Sequence, residues 1–571
     1  MKKKFIGILT TFLLTIGIVK AQSVADGVKD WYAQRYQGAK ATFEKLLAAN
    51  PNDIQATYWL GQTLIEMNDV PAAKSLYEKA LTASANAPLV IVGMGQVDLI
   101  QNRINEARQR FEAALTMSAG KKGNDPEILN AVGYAIASVY TDKEKKGDIN
   151  FAVTKLQEAV NMKPKDNQLL AMIYVNLGDA QRKAKPGEGG SEAFQSYKAA
   201  MDAKADFPVS YWRMASIFNT QRNFDQYQHY LESAVEKDPR FAPAYYDLFY
   251  YKLGRLDFNN AEHYAKKYVE TSDPDPQNDY LRVMTLYAKK EYDQAIAGAN
   301  NIASRAGANT KPVVYRLLAY SYVEKGDTLA AKPYIDNFFA KATEKDINPK
   351  DYTLKAMVYT KVPGQEAVVM QSFRDGVKAD TSLENKINIV KDGIKFFEGK
   401  KMNHEAAQLY ELLFEVKPDA TLNEMFGATL ANYRDSSYAK SRDYALKMIQ
   451  KSPDQQFGWE WAFRNALVID TVKKDSIMVP DAMNLLAFTQ GDSVKFANQI
   501  RSASYPVALY YNEKKQLDSA IKYLELMRSA TADVAQKQSI QNNINALREA
   551  AKKSKSSSNS NAGPAGRKPE G

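Results

Sequence analysis

Small and aromatic residues recur along this chain with a period of 34 positions. Within each occurrence they are spaced by three or four residues, which places them on one face of a helix. The clearest occurrences are Ala39 with Phe43, Ala73 with Tyr77 and Ala80, and Ala107 with Phe111 and Ala114. A constant period between about 20 and 50 residues is typical of stacked supersecondary units, each of which needs its neighbours to bury an apolar face. The pattern therefore predicts an array of repeats, and such arrays bind partners more often than they catalyse reactions.

Two helices per repeat account for the spacing. In the second repeat we predict one helix from Ile54 to Glu66 and another from Val70 to Ala83, joined by a turn at Asn68 and Asp69. Pro71 suits the first turn of the second helix because the N–H group that proline lacks has no intrahelical partner there.

These residues resemble the tetratricopeptide repeat family. The resemblance rests on Leu60-Gly61, Ala73, Tyr77 and Ala80 in the second repeat, and on Gly95, Ala107, Phe111 and Ala114 in the third. Weaker copies extend it over residues 24 to 550, or about 12–14 units. The resemblance implies an all-α, right-handed solenoid of antiparallel helix pairs.

Four segments follow from this pattern. They are a signal peptide (1–21), a regular array (22–345), a degenerate array with a C-terminal capping helix (346–552) and a disordered tail (553–571). Within the degenerate array, residues 470–499 depart from the pattern, and the sequence leaves open whether a unit is distorted or replaced there.

The first residues are typical of an export signal. Lys2 to Lys4 precede an apolar run from Phe5 to Val19, and Val19 with Ala21 forms a small-residue cleavage site. We therefore expect cleavage after Ala21, and a mature protein in the periplasm or on the outer surface of a Gram-negative bacterium. An uncleaved anchor is the alternative. After cleavage we expect no transmembrane segment, although peripheral association with the envelope is compatible with the sequence.

Composition excludes several classes of function. The formal net charge is +10, but the signal and the tail carry most of it and leave a nearly neutral body, so we expect no nucleic-acid partner. The chain has no cysteine, which excludes disulfides and thiolate chemistry.

Candidate chemistry is sparse. His229 and His263 are one period apart, which suggests either a metal or pH-sensitive pair or two exposed side chains in equivalent positions. The acidic stretch Asp273 to Pro276 suggests either weak calcium binding or a linker that ends a helix. No triad or phosphate-binding motif is recognisable. We expect no enzyme activity, no cofactor and no metal site.

Aromatic and arginine side chains on the first helix of several repeats form the candidate binding groove. In the tetratricopeptide family these positions face the concave surface, and such side chains are favoured at binding hot spots. The candidates are Tyr58, Trp59, Trp212, Arg213, Tyr246, Tyr250, Tyr280, Tyr287, Arg316 and Tyr320. The alternative is that these rings pack neighbouring helices. The family's clamp for C-terminal carboxylates is missing, because the fifth repeat has Val175 and Asp179 in place of its lysine and asparagine.

The sequence favours a non-enzymatic scaffold of the bacterial envelope that binds a protein or an extended peptide along this groove. A carbohydrate or cell-wall binding protein using the same aromatic groove is the alternative. A hydrolase or transferase located after residue 455 is a third hypothesis.

Overall fold

A computed structural model describes residues 23–84, 87–121, 123–141, 143–473 and 477–560; the side chains of residues 471–473 and 554–560 are not described. The described residues contain 29 α-helices and no β-strand. They divide into two compact units, one reaching Ser321 and the other starting at Tyr322. The predicted signal peptide, residues 1–21, lies outside the described residues.

The first unit contains α1 to α16 and the part of α17 up to Ser321. Their bounds are α1 Val24–Tyr32, α2 Tyr36–Ala49, α3 Ile54–Glu66, α4 Val70–Ala83, α5 Pro88–Ile100, α6 Ile104–Ser118, α7 Pro126–Val139, α8 Ile149–Asn161, α9 Asn167–Ala184, α10 Gly190–Ala203, α11 Pro208–Thr220, α12 Phe224–Lys237, α13 Ala242–Gly254, α14 Phe258–Thr271, α15 Tyr280–Ala288, α16 Tyr292–Ala306 and α17 Pro312–Lys325. Consecutive helices from α1 to α16 pack against each other as eight pairs.

The second unit contains α18 to α29. Their bounds are α18 Lys332–Lys341, α19 Pro349–Tyr359, α20 Glu366–Ala379, α21 Leu383–Gly399, α22 Asn403–Val416, α23 Leu422–Arg434, α24 Tyr438–Lys451, α25 Gln456–Lys473, α26 Met478–Phe488, α27 Ala497–Glu513, α28 Leu517–Ser529 and α29 Val534–Ser560. Five pairs, from α19 to α28, are followed by the unpaired helix α29.

The predicted all-α solenoid of antiparallel helix pairs is therefore confirmed. The two helices predicted for the second repeat have the bounds of α3 and α4. The eight pairs of the first unit and the five of the second make 13 pairs among the described residues, within the predicted range of 12–14 repeats. The predicted boundary after residue 345 marks where the repeat pattern in the sequence weakens. The boundary after Ser321 separates two compact units of the structure, so the two boundaries describe different properties.

The 34-residue period is also present in the backbone. The turn inside several pairs contains one residue with a positive φ, and these residues include Gln34, Asn68 and Asn102, and later Arg222, Leu256 and Lys290. Within each of these two series the spacing is 34. One left-handed residue reverses the chain after the first helix, so the repeat fixes turn geometry as well as packing.

Close helix crossing explains the small residues of the pattern. The Tyr77 ring is fully buried on α4, and a side chain placed at either Gly61 on α3 or Gly93 on α5 would overlap that ring. The tyrosine hydroxyl donates to the Tyr58 carbonyl oxygen at 2.9 Å. One aromatic side chain thus fills the space between three successive helices.

Within residues 470–499 the described residues continue the series of helix pairs, because α25 and α26 pack together. The second helix of this pair, α26, is short, and it is anchored at its start by Asp470, whose carboxylate accepts from the backbone N–H groups of Ile477 at 3.1 Å and Met478 at 2.6 Å. Arg442 on α24 donates to both carboxylate oxygens of Asp481 on α26, at 2.6 and 2.9 Å. At the C-terminus α29 includes the predicted capping helix and continues to Ser560, into the segment predicted as a tail. Residues 561–571 lie outside the described residues.

Candidate functional site

The ten candidate residues lie on five alternate helices of the first unit. Tyr58 and Trp59 are on α3, Trp212 and Arg213 on α11, Tyr246 and Tyr250 on α13, Tyr280 and Tyr287 on α15, and Arg316 and Tyr320 on α17. Their surroundings differ strongly between the early helices and the later ones.

Aromatic rings of α1 pack against rings of α3 and of later helices. Trp31 lies 5.3 Å from Trp59 and 5.8 Å from Tyr134 on α7, measured between ring centroids. Tyr32 lies 5.2 Å from Phe207, which directly precedes α11. Most of these contacts are edge-to-face, a favourable geometry for aromatic pairs. Helix α1 therefore contacts repeats that follow it by more than 100 residues.

Tyr58 and Trp59 are consequently buried. Tyr58 is 4% exposed and Trp59 is 8% exposed, and their own rings are 5.4 Å apart. Burial raises the pKa of the Tyr58 hydroxyl well above its usual range. The contacts of these two residues are those of rings that pack neighbouring helices.

Trp212 and Arg213 belong to a charged network. The indole N–H of Trp212 donates to Asp247 on α13 at 2.6 Å, and the Arg213 guanidinium stacks over the Trp212 ring at 4.4 Å. Arg213 also donates to Asp179 on α9 at 2.9 Å. Burial raises the pKa of Asp247, and the Trp212 hydrogen bond and the Arg213 charge partly offset that rise. Both residues therefore join three successive repeats.

Polar contacts hold the first helix pair in this position. Arg35, at the start of α2, pairs with Asp30 and donates to the Arg240 carbonyl oxygen at 3.0 Å, across 205 residues of sequence. Lys29 lies 3.3 Å from Asp238. Arg35 is 5% exposed, so its charge is satisfied within the protein rather than by solvent.

The acidic stretch 273–276, predicted as a calcium site or a linker, makes a further contact with the first helix pair. Asp273 accepts from the backbone N–H groups of Gln37 at 2.7 Å and Gly38 at 3.2 Å, and so caps the N-terminus of α2. Asp275 accepts from Gln277 N–H and caps the short 3₁₀ helix that follows. A carboxylate is favourable at a helix N-terminus because it meets unpaired N–H groups and the positive end of the helix dipole. Both carboxylates thus serve as helix caps.

Further along the array, the candidate rings form a partly exposed group. We define the tyrosine cluster as Tyr246, Tyr250, Tyr268 and Tyr280, beside Arg316. The Tyr246 ring lies 4.8 Å from Tyr250 and 5.5 Å from Tyr268. Tyr246 is 40% exposed. The structure therefore brings together four of the ten candidates.

The rings of Tyr250, Tyr268 and Tyr280 also pack against one hydrophobic cluster, which includes Phe249 and Leu281. Burial raises the pKa of Tyr250, a hydrogen bond with Tyr246 and the proximity of Tyr280 raise it further, and Arg316 lowers it. The hydroxyls of Tyr246 and Tyr280 and the Arg316 guanidinium are thus within electrostatic reach of the Tyr250 hydroxyl. Tyr287 instead packs against Tyr292 at 5.7 Å, and Tyr320 is half-buried on α17.

A polar cavity that the sequence did not indicate lies in the first unit. Its volume is about 690 Å³, and its lining includes Glu66, Tyr134, Asp179, Arg182, Lys183 and Arg213. Helices α3, α7, α9 and α11 contribute these residues. Of these residues the sequence pattern selects Arg213 alone, because the others come together only through the packing of different repeats.

The histidine pair occupies exposed positions. His229 on α12 and His263 on α14 each make an edge-to-face contact with the following tyrosine, both with ring centroids 5.3 Å apart. Over the described part of the chain, no group of three His, Cys, Asp or Glu side chains has an arrangement that could hold a metal ion.

Comparison with known families gives a match in the first repeats. Residues 31–90, from the end of α1 to the start of α5, match a family model described as tetratricopeptide repeat. The family match covers these residues, and the helix pairs that follow them in the described part of the chain have the same all-α architecture. Proteins of this family are generally non-enzymatic scaffolds for protein–protein interaction, and some bind peptides. No curated protein sequence matches this chain significantly.

Several solved structures are similar to it. A tetratricopeptide repeat protein from Parabacteroides merdae is 16% identical and covers 46% of this chain and 98% of its own, with a TM-score of 0.37. The APC/C hetero-tetramer Cut9–Hcn1 gives 13% identity, 77% and 95% coverage and a TM-score of 0.31. Yeast Tom70 gives 11% identity, 93% and 95% coverage and a TM-score of 0.28. These values carry no inference about function or partner.

Proposed function

We propose that this protein is a non-enzymatic interaction scaffold of the bacterial envelope, which binds a protein or an extended peptide at the tyrosine cluster. The observation that carries the proposal is the grouping of Tyr246, Tyr250 and Tyr280 beside Arg316, with Tyr246 exposed to solvent. Tyrosine offers a large contact area and a hydroxyl that hydrogen-bonds, at a low entropic cost, and arginine adds directed donors.

The burial of the candidate rings on α3 restricts the proposed site to a part of the predicted groove. Because the rings of α1 cover Tyr58 and Trp59, a partner would have to displace Trp31 and Tyr32 to contact them. At the tyrosine cluster no such displacement is needed to reach Tyr246. We therefore assign binding first to α13 and α15.

Site-specific crosslinking in cells tests this assignment. A photo-crosslinking phenylalanine derivative is introduced at Tyr246, and, as a matched control, at Tyr505, an exposed tyrosine of the second unit. We expect one defined adduct from position 246, absent from position 505 and reduced by Tyr250→Ala. Equal adducts from both positions, or none from position 246, would contradict the assignment.

The envelope location is part of the proposal and has its own test. The basic and apolar start of the chain, with the small-residue site at Val19 and Ala21, supports export. Among the described residues, none of the helices is long and apolar enough to cross a membrane. Fractionation and N-terminal sequencing should find a mature protein that begins at Gln22 in the periplasmic or outer-surface fraction. An intact N-terminus in the cytoplasmic fraction would overturn this part.

Carbohydrate binding is the alternative, because aromatic rings also stack on sugars. Sedimentation with insoluble cell-wall glycan distinguishes the two functions. Retention on glycan that is lost in Tyr246→Ala would favour the carbohydrate function over the protein partner.

A further inference from the structure

The polar cavity of the first unit has a composition that differs from that of the tyrosine cluster. Its volume of about 690 Å³ is in the range of pockets that hold small ligands, roughly 300–1,000 Å³. Charged and hydrogen-bonding side chains dominate its lining. The walls therefore favour a polar ligand over an apolar one.

The charged side chains that line the cavity differ in their ionic contacts. Asp179 is engaged by Arg213 at 2.9 Å and by the Tyr197 hydroxyl at 2.6 Å. Among the described residues, Arg182 makes one hydrogen bond, to the Ser216 hydroxyl at 2.6 Å, and no ion pair. Because a guanidinium has five N–H donors in a planar fork, Arg182 retains donors for an anionic group. Lys183, held against the Ala137 and Tyr140 carbonyl oxygens, adds a second positive charge.

Glu66, at the end of α3, contributes a negative charge to the cavity. Its carboxylate accepts from the hydroxyls of Tyr134 at 3.3 Å and Tyr36 at 3.4 Å, and it stays accessible to solvent through the cavity. A carboxylate has more acceptor positions than these two long contacts use. Glu66 would accept from ligand hydroxyls, and it would repel a bare anion.

We infer that this cavity binds a small hydroxylated anion, of the class of sugar phosphates and sugar acids. Arg182 and Lys183 hold the anionic group, and Glu66 accepts from the hydroxyl groups. The ligand that we propose is a separate small molecule. This site is independent of the tyrosine cluster.

Calorimetric titration of the full chain tests the inference. The probes are glucose 6-phosphate and glucuronate, which separate the phosphate and carboxylate sources, with glucose, inorganic phosphate and acetate as partial ligands. We expect saturable binding of at least one sugar anion, tighter than that of any partial ligand. Glucose 6-phosphate binding more tightly would indicate a phosphorylated ligand, and glucuronate binding more tightly would indicate a sugar acid.

Two variants assign the roles. Arg182→Gln should weaken sugar-anion binding about tenfold or more, because it removes charge-assisted hydrogen bonds. Arg108→Gln, at an exposed arginine of α6, is the matched control and should leave binding unchanged. Glu66→Gln should weaken binding of the sugar anion but not of inorganic phosphate. A melting curve checks that each variant is folded.

Three results would overturn the inference: no sugar anion binds, inorganic phosphate or acetate binds as tightly as the sugar anions, or folded Arg182→Gln binds as the unaltered protein does. None of these results bears on crosslinking at Tyr246, so the two proposals fail separately.

Discussion

Two stretches of the predicted groove have the same kind of sequence and different surroundings. On α3, Tyr58 and Trp59 are covered by Trp31 of α1 and its neighbours. On α13, Tyr246 and Tyr250 lie beside other tyrosines, and Tyr246 is 40% exposed. Position within the repeat is thus not sufficient to make a ring available to a partner. What decides is whether another part of the chain already packs against it.

The difference is physical as well as geometric. Rings that lose most of their exposed area on folding contribute to stability through the hydrophobic effect and packing. A ring that stays exposed contributes less, and it keeps apolar area that a partner can still bury. We therefore expect the early groove residues to affect unfolding and the later ones to affect binding.

The largest effect should come from the covered stretch. Trp59→Ala removes a ring that is 8% exposed, and the resulting cavity should cost about 3–5 kcal/mol in the free energy of unfolding. Calorimetric unfolding of the full chain would detect this as a lower melting temperature. A cost below about 1 kcal/mol would mean that the rings of α1 do not pack here as the structure has them.

A second prediction compares Arg35 with the more exposed Arg103, whose partner Asp98 also pairs with Arg110. Arg103 pairs with Asp98 in the third repeat as Arg35 pairs with Asp30 in the first, but only Arg35 also donates to a carbonyl oxygen 205 residues away. Arg35→Ala should therefore destabilise more than Arg103→Ala, by about 1–3 kcal/mol. Equal losses in chemical denaturation would show that the local ion pair alone matters and that the distant contact contributes nothing.

These two residues illustrate what the sequence predicts and what it does not. Contacts between residues one period apart follow from the repeat: Gln62 bonds Gln96 at 2.6 Å, and Arg213 bonds Asp179. The helix pairs and the buried Tyr77 were predictable for the same reason. Contacts between α1 and residues beyond 200 were not, because they depend on how small rotations between successive repeats accumulate. The sequence around Trp31 or Arg35 contains no pattern from which this accumulated rotation could be predicted.

The candidate site shows the same limit. Sequence singled out the tyrosines of α13 and α15 because they stand in groove positions without a core role. It could not separate them from Tyr58 and Trp59, which have the same chemistry in equivalent positions. The polar cavity was missed because Glu66, Tyr134 and Arg182 come from different repeats and carry no shared motif.

A smaller effect should follow from the distant helix cap. Asp273→Ala removes the carboxylate that accepts from Gln37 and Gly38 at the start of α2, at a cost of about 0.5–2 kcal/mol. Asp69→Ala is the control, since Asp69 caps α4 locally through Ala72 N–H at 3.1 Å. In addition, hydrogen exchange at the α2 amides should rise in Asp273→Ala only. Unchanged exchange there would indicate that α2 is held without this cap.

The smallest effect on stability should come from the open stretch, and it completes the comparison. Tyr246→Ala removes a ring that is 40% exposed, so it should cost under about 1 kcal/mol while it reduces the yield of chemical crosslinking between the otherwise unaltered protein and its partner. Melting temperature and crosslink yield, measured on the same preparation, separate the two contributions. A large destabilisation by Tyr246→Ala would show that this ring packs as Trp59 does. Because a partner can bury only the area that folding leaves exposed, the binding role of the tyrosine cluster requires that its most exposed ring be nearly dispensable for stability.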